Sequence, residues 1–202
     1  MTMDDDITIK HTLVLALIPV GIAMNIALGG VVNALKLPIY LDAIGTIVIT
    51  LLVGWRAGVI VGVISFLLAS VLISPVYVYF VGTQCAIAIY VSLVANYLRA
   101  FSRLWKVVVA GIGLGILAGV VSAPVIVIVF GGASGSGRDL VTALLVGSGQ
   151  QMIKAVLLSG MASEPVDKTL QLLLAYTLLR SSPKRVLRRF SSKALTANGL
   201  SG

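Results

Sequence analysis

The feature that most constrains this chain is a succession of apolar runs, most of them long enough to cross a bilayer, separated by charges, prolines or glycines. Thr12 to Ala34 is the first, closed by Lys36 and Pro38. Ile39 to Val53 follows, ended by Gly54-Trp55-Arg56, and then Ala57 to Ile73. After the Ser74-Pro75 turn come Val76 to Leu98 and, beyond a basic loop with Arg99, Arg103 and Lys106, Val107 to Phe130. A helix needs about 20 residues to span a hydrocarbon core of about 30 Å. Composition agrees: 58% of the residues are hydrophobic and 11% charged, against about 25% charged in soluble domains. The mean hydropathy is +1.08. A chain this apolar has too little polar surface to cover a water-facing globule, which makes it an all-α integral membrane protein of one domain.

The remaining apolar stretches, Leu140 to Ser163 and Val166 to Leu179, are weaker and separated by Glu164-Pro165. Charge parity decides how many cross. The basic loop at 99–106 and the run Arg180, Lys184, Arg185, Arg188, Arg189 and Lys193 both belong on the cytoplasmic side, where positive charge concentrates. An even number of crossings must separate them, so one later stretch, or a composite of the two, joins the fifth span in crossing. The expected architecture is a six-helix transmembrane bundle with both termini cytoplasmic. Eleven basic residues then lie inside, and Lys36, Arg138, Lys154 and Lys168 lie outside. Residues 1–11 form the cytoplasmic N-terminus, 12–181 the membrane domain, and 182–202 a basic cytoplasmic tail. Residues 131–165 form an extracellular loop with a helix dipping into the membrane. Asp4, Asp5 and Asp6 replace the basic n-region of a signal peptide, so the first run is expected to be retained as a span in the cell membrane.

The net charge of +8 is a membrane-surface signature here, not a nucleic-acid footprint. Enzyme signals are absent: His11 is the only histidine, and no H-E-x-x-H, G-x-S-x-G or metal-ligand cluster appears. Neither a catalytic residue nor a cofactor is expected. The segment Gly131-Gly-Ala-Ser-Gly-Ser-Gly137 is a flexible loop; Gly132-Ala-Ser-Gly-Ser-Gly137-Arg138-Asp139 superficially resembles a phosphate loop but lacks its Lys-Ser/Thr ending and reads as a hinge. Cys85 is alone and forms no intrachain disulfide.

Two patterns carry information. In the first span Ala16, Ala23, Ala27, Gly30 and Ala34 step along one helical face, and small residues allow close helix approach in lipid. The stripe suits either docking of a partner or packing within the chain. Polar residues, meanwhile, concentrate at the outer half of the bundle: Asn33, Lys36, Asp42, Tyr77, Tyr79, Thr83, Gln84, Gln150, Gln151, Lys154, Glu164, Asp167 and Lys168. Ionisable groups at membrane depth are costly unless they line a cavity or find partners. An outward-facing ligand pocket explains the cluster, with interfacial ion pairs such as Asp42–Lys36 or Asp167–Lys168 as the simpler account of individual residues.

At these residues the chain resembles the substrate-binding S components of energy-coupling factor (ECF) vitamin transporters, over roughly 14–190. Three places carry the likeness. One is the Ala23-x-x-x-Ala27 pair. Another is Leu37-Pro-Ile-Tyr-Leu-Asp42-Ala-Ile-Gly45-Thr with Leu52-Val-Gly54-Trp-Arg-Ala57-Gly58. The third is Ser163-Glu-Pro165-Val-Asp167-Lys168. The resemblance implies an ECF S-component-like six-helix fold and a high-affinity binder of a vitamin or vitamin precursor. It implies, as partners, a transmembrane coupling subunit docked on Ala16, Ala23, Ala27 and Gly30, and two cytoplasmic ATPases. The binder delivers its cargo by toppling in the membrane.

Competing readings are a membrane sensor or input module, an autonomous small-molecule carrier, and an accessory subunit with no ligand. A sensor module is expected to run on into an output domain, and a carrier to show internal repeats and a midplane charge. For the pocket reading, the expected ligand contacts are Asn33, Asp42, Tyr77, Tyr79, Gln84, Gln151, Lys154, Asp167 and Lys168. Near the outer surface four acids balance four bases, which points to a neutral or zwitterionic ligand, and the tyrosines and amides suit a flat heterocycle.

Overall fold

The computed structural model describes residues 3–190 and 192–200, with side chains from Val14 onward. The side chains of Asp4, Asp5, Asp6, Lys10 and His11 therefore lie outside the described residues. Every regular element among the described residues is helical.

Helix α1 is Met3–Ala34, and four segments are long and apolar enough to cross a membrane: Val14–Ala34, Trp55–Leu72, Pro75–Tyr97 and Leu104–Ile128. They correspond to α1, α3 (Trp55–Leu72), a 3-10 turn at Pro75–Phe80 running into α4 (Val81–Tyr97), and α5 (Leu104–Ile128). Large apolar side chains stand exposed on their outer faces, among them Leu15, Val71, Val109, Val120 and Ile128. Such a surface suits lipid and not water. The chain is a multi-pass helical membrane protein.

The segment expected as the second span folds differently. Only Ile44–Leu52 is helical (α2), nine residues, or about 13 Å of rise. Pro38 and the positive φ angles of Lys36 and Leu41 hold 35–43 out of helical geometry, because proline disfavours helix at the residue before it. Helix α2 is buried on nearly every side, with Ile44, Ile47, Ile49 and Leu51 inside, and packs against α1, α3 and α4. It is a core helix around which the longer ones stand. Its approach to α1 is set by Gly45, where an added Cβ would run into the Gly21 carbonyl.

The structure also corrects the break at Glu164-Pro165. Helix α6 is Arg138–Gly147, and α7 runs without interruption from Met152 to Ser181, with Pro165 inside it. The separate stretches expected at Leu140 to Ser163 and Val166 to Leu179 are thus one long helix preceded by a short one. Pro165 removes one helical hydrogen bond, but its backbone lies against Gly115 of α5 in the largest helix–helix contact of the fold. Packing by a neighbouring helix makes such prolines tolerable in membrane proteins. Of the segment 131–165, the non-helical residues are the glycine-rich stretch before α6 and the α6–α7 turn.

The basic tail likewise folds back. Helices α8 (Lys184–Leu187) and α9 (Lys193–Ala197) bring Leu187, Ala194, Leu195 and Leu200 into the core cluster. Asn198 accepts from the Phe101 N–H at 2.8 Å and donates to the Ala95 carbonyl at 2.9 Å. This end of the bundle also carries Arg56, Arg99, Arg103 and Lys106.

Candidate ligand-binding site

At the opposite end the chain closes over a cavity of about 410 Å³. Its walls come from the end of α1 (Asn33), the irregular segment 35–43 (Tyr40, Asp42), α3 and the 3-10 turn (Phe66, Tyr77, Phe80), α4 (Thr83, Gln84), α5 (Ser122) and α7 (Glu164, Lys168). Ser134, Gly135, Ser136 and Gly137 of the glycine-rich segment complete the lining. That segment is fastened to the rest. Lys36 donates to the Gly135 carbonyl at 2.9 Å, and the Gly135 N–H donates to Asp139. Gly137 lies so close to the carbonyls of Lys36 and Leu37 that no Cβ would fit.

The floor is an ionic network centred on Lys168. Its Nζ is 2.7 Å from Asp167, 3.3 Å from Asp42 and 3.9 Å from Glu164. The other carboxylate oxygen of Glu164 faces Arg138 at 3.6 Å, and Arg138 is anchored by Ser159 and the Val156 carbonyl. All five charged groups are buried. Charges at such depth persist only when paired and hydrogen-bonded.

Asp167 does more than balance Lys168. Its Oδ1 accepts the backbone N–H groups of Tyr40 and Leu41, at 2.9 and 3.0 Å, and its Oδ2 accepts from Gln171 at 2.7 Å. Gln171 in turn accepts the Ala43 N–H at 3.0 Å. Non-helical backbone inside a membrane bundle needs such partners, and α7 supplies them. Helix α7 therefore fixes the segment that presents Tyr40 and Asp42 to the cavity, and the Lys168 ammonium lies 5.6 Å from the centre of the Tyr40 ring.

Behind the opposite wall runs a neutral chain of hydrogen bonds. Asn25 accepts from the Gly45 N–H at 2.7 Å and donates to Thr46 and Ser65, and Thr46 donates to the Gln84 Oε1 at 2.9 Å. The Gln84 amide also donates to the Asp42 carbonyl at 3.3 Å. Phe66 and Tyr77 meet edge-to-face with centroids 5.2 Å apart. The cavity thus joins an aromatic side to an ionic floor.

Of the expected ligand contacts, Asn33, Asp42, Tyr77, Gln84 and Lys168 line this cavity together. Asp167 stands directly behind it, fully buried. Tyr79, Gln151 and Lys154 are exposed and outside the lining; Tyr79 packs edge-on against Phe130 instead. Lys154 is separated from Lys168 by nearly four turns of α7, or about 21 Å. Tyr40, Glu164 and Arg138, not among the expected contacts, belong to the wall or its support. A signal was present: Glu164, Asp167, Lys168 and Gln171 repeat at three- and four-residue steps on one helix face.

The Ala16, Ala23 and Ala27 side of α1 is exposed, whereas Gly21, Asn25 and Gly29 on its other side are buried against the chain. Gly30 is half-buried near Ile73. Internal packing uses the asparagine–glycine face and leaves the alanines free.

No family model, no curated protein and no solved structure matches the chain. What the fold and the site define is the class: a multi-pass helical membrane protein with a polar, aromatic-walled cavity at one end.

Proposed function

We propose that the chain is the membrane-embedded substrate-binding subunit of an ECF-type importer, not an enzyme, and that it captures a vitamin or vitamin precursor in this cavity. The observation that carries the reading is the cavity itself, of small-molecule size, with Asp42, Gln84, Tyr77 and Lys168 gathered from three separate parts of the sequence. Ligand sites typically combine apolar and aromatic walls with a few convergent polar groups. The exposed alanine face of α1 supports docking on a coupling subunit through a surface distinct from the cavity.

In this reading the chain crosses six times: the four long apolar segments, α7, and the irregular stretch 35–43 continued by the short α2. The cavity opens outward, and the arginine- and lysine-rich end lies with both termini in the cytoplasm. ATP hydrolysis by two partner ATPases, transmitted by the coupling subunit, topples the binder and releases the cargo inside. The test is uptake of the small molecule that copurifies with the chain. Cells expressing it with a coupling subunit and both ATPases should accumulate that molecule, and cells with an inactive ATPase pair should not. Equal accumulation without the ATPases would make the chain an autonomous carrier.

A further inference from the structure

The buried charges beneath the cavity do not cancel, although an exposed cation, Lys36, also lines it. Lys36, Lys154 and Asp139 contribute to the near-surface balance counted from the sequence, but they are not part of the buried network. Inside it, Arg138 and Lys168 face three carboxylates, those of Asp42, Glu164 and Asp167. Asp167 is saturated by two backbone N–H groups, Gln171 and Lys168. Glu164 is not. It lines the cavity at 4% exposure, and its Oε2 has no hydrogen-bond donor, the nearest cation being Lys168 at 3.9 Å. Lys168 is already drawn to Asp167 and Asp42 at shorter range.

A buried carboxylate oxygen without a donor is costly, and an excess of buried charge more so. The missing element is a group that both donates hydrogen bonds and carries positive charge. Around the same space stand the rings of Tyr40, Phe66, Tyr77 and Phe80, whose faces favour a flat cation.

We propose that the ligand of this cavity carries a protonated nitrogen, as an amine, amidinium or cationic aminoheterocycle, which docks on Glu164 Oε2 beside Asp42. The proposal rests on the capture function above and narrows its ligand from the neutral or zwitterionic class to one with a cationic end.

Three flat probes of matched shape test it: benzamidinium, benzamide and benzoate, titrated into the full chain in lipid nanodiscs, with binding read by ligand-observed NMR and thermal shift. Benzamidinium should bind and stabilise, benzamide bind at least about tenfold more weakly, and benzoate not bind. Glu164→Gln should weaken benzamidinium by about ten- to a hundredfold and benzamide by a clearly smaller factor, so that the selectivity between them falls, and Asp42→Asn should act in the same direction. Wild-type selectivity among the probes gives the answer even where a variant fails to fold. No binding of benzamidinium, equal binding of the three, preference for benzamide or benzoate, or an unchanged benzamidinium affinity in both variants overturns the proposal. Extraction of a native ligand without a basic nitrogen would overturn it too, while leaving capture itself intact.

Discussion

The Nζ of Lys168 lies 3.3 Å from the Oδ1 of Asp42, a residue 126 positions earlier in the chain. This pair ties the irregular segment after α1 to α7, with Asp167 and Glu164 on the same ammonium. Replacing Lys168 with methionine keeps the volume and leaves three buried carboxylates with Arg138 alone. The expected cost is about 3–5 kcal/mol, read as a fall in thermal unfolding temperature in detergent. Adding Asp42→Asn to that variant should recover part of the loss by removing one uncompensated charge. An unaltered unfolding temperature in the Lys168→Met chain would show that the network is not buried as described.

Asp167 separates two roles. Asp167→Asn keeps an oxygen for the Tyr40 and Leu41 N–H groups but loses the partner charge of Lys168. Asp167→Ala loses both and leaves two backbone donors without a partner, at about 1–3 kcal/mol each. The alanine variant should therefore be clearly less stable than the asparagine variant, and hydrogen exchange should rise at Tyr40 and Leu41 only in the alanine form. Equal exchange in both variants would mean that other groups hold this segment.

Docking and binding should come apart at α1. Ala23→Trp and Ala27→Trp place bulk on an exposed face, away from the cavity lining. Copurification with the coupling subunit should be lost while the purified chain keeps its ligand at wild-type affinity. Loss of ligand together with assembly would place this face inside the binding structure.

Much of this arrangement could be read from residue order. Alternating apolar runs and charges identified the long helices α1, α3, α4 and α5, because lipid exposure leaves a compositional imprint on a whole segment. Polar residues inside apolar stretches, Gln84 in α4, Lys168 in α7 and Asp42 just before α2, signalled the cavity because their burial demands partners. Helix α2 escaped because a short core helix and a span are equally apolar, and only packing tells them apart. The continuity of α7 escaped for a related reason: Pro165 is a helix breaker in isolation, and its tolerance depends on Gly115, fifty positions away. Gln151 and Lys154 share the composition of ligand contacts but sit nearer the start of α7, beyond the reach of the floor at Lys168. Arg138, placed by its neighbours in a flexible loop, turns inward because Glu164 and Ser159 offer it buried acceptors.

The most direct test of the account is native mass spectrometry of the full chain released from nanodiscs after expression in cells that supply the natural ligand. The account predicts one small molecule per chain. It should be retained in Lys154→Ala and Gln151→Ala and lost or strongly depleted in Asp42→Ala and Tyr77→Ala, with all four variants folded by circular dichroism. Retention in the Asp42 and Tyr77 variants with loss in the Lys154 or Gln151 variants would contradict the assignment of this cavity as the binding site.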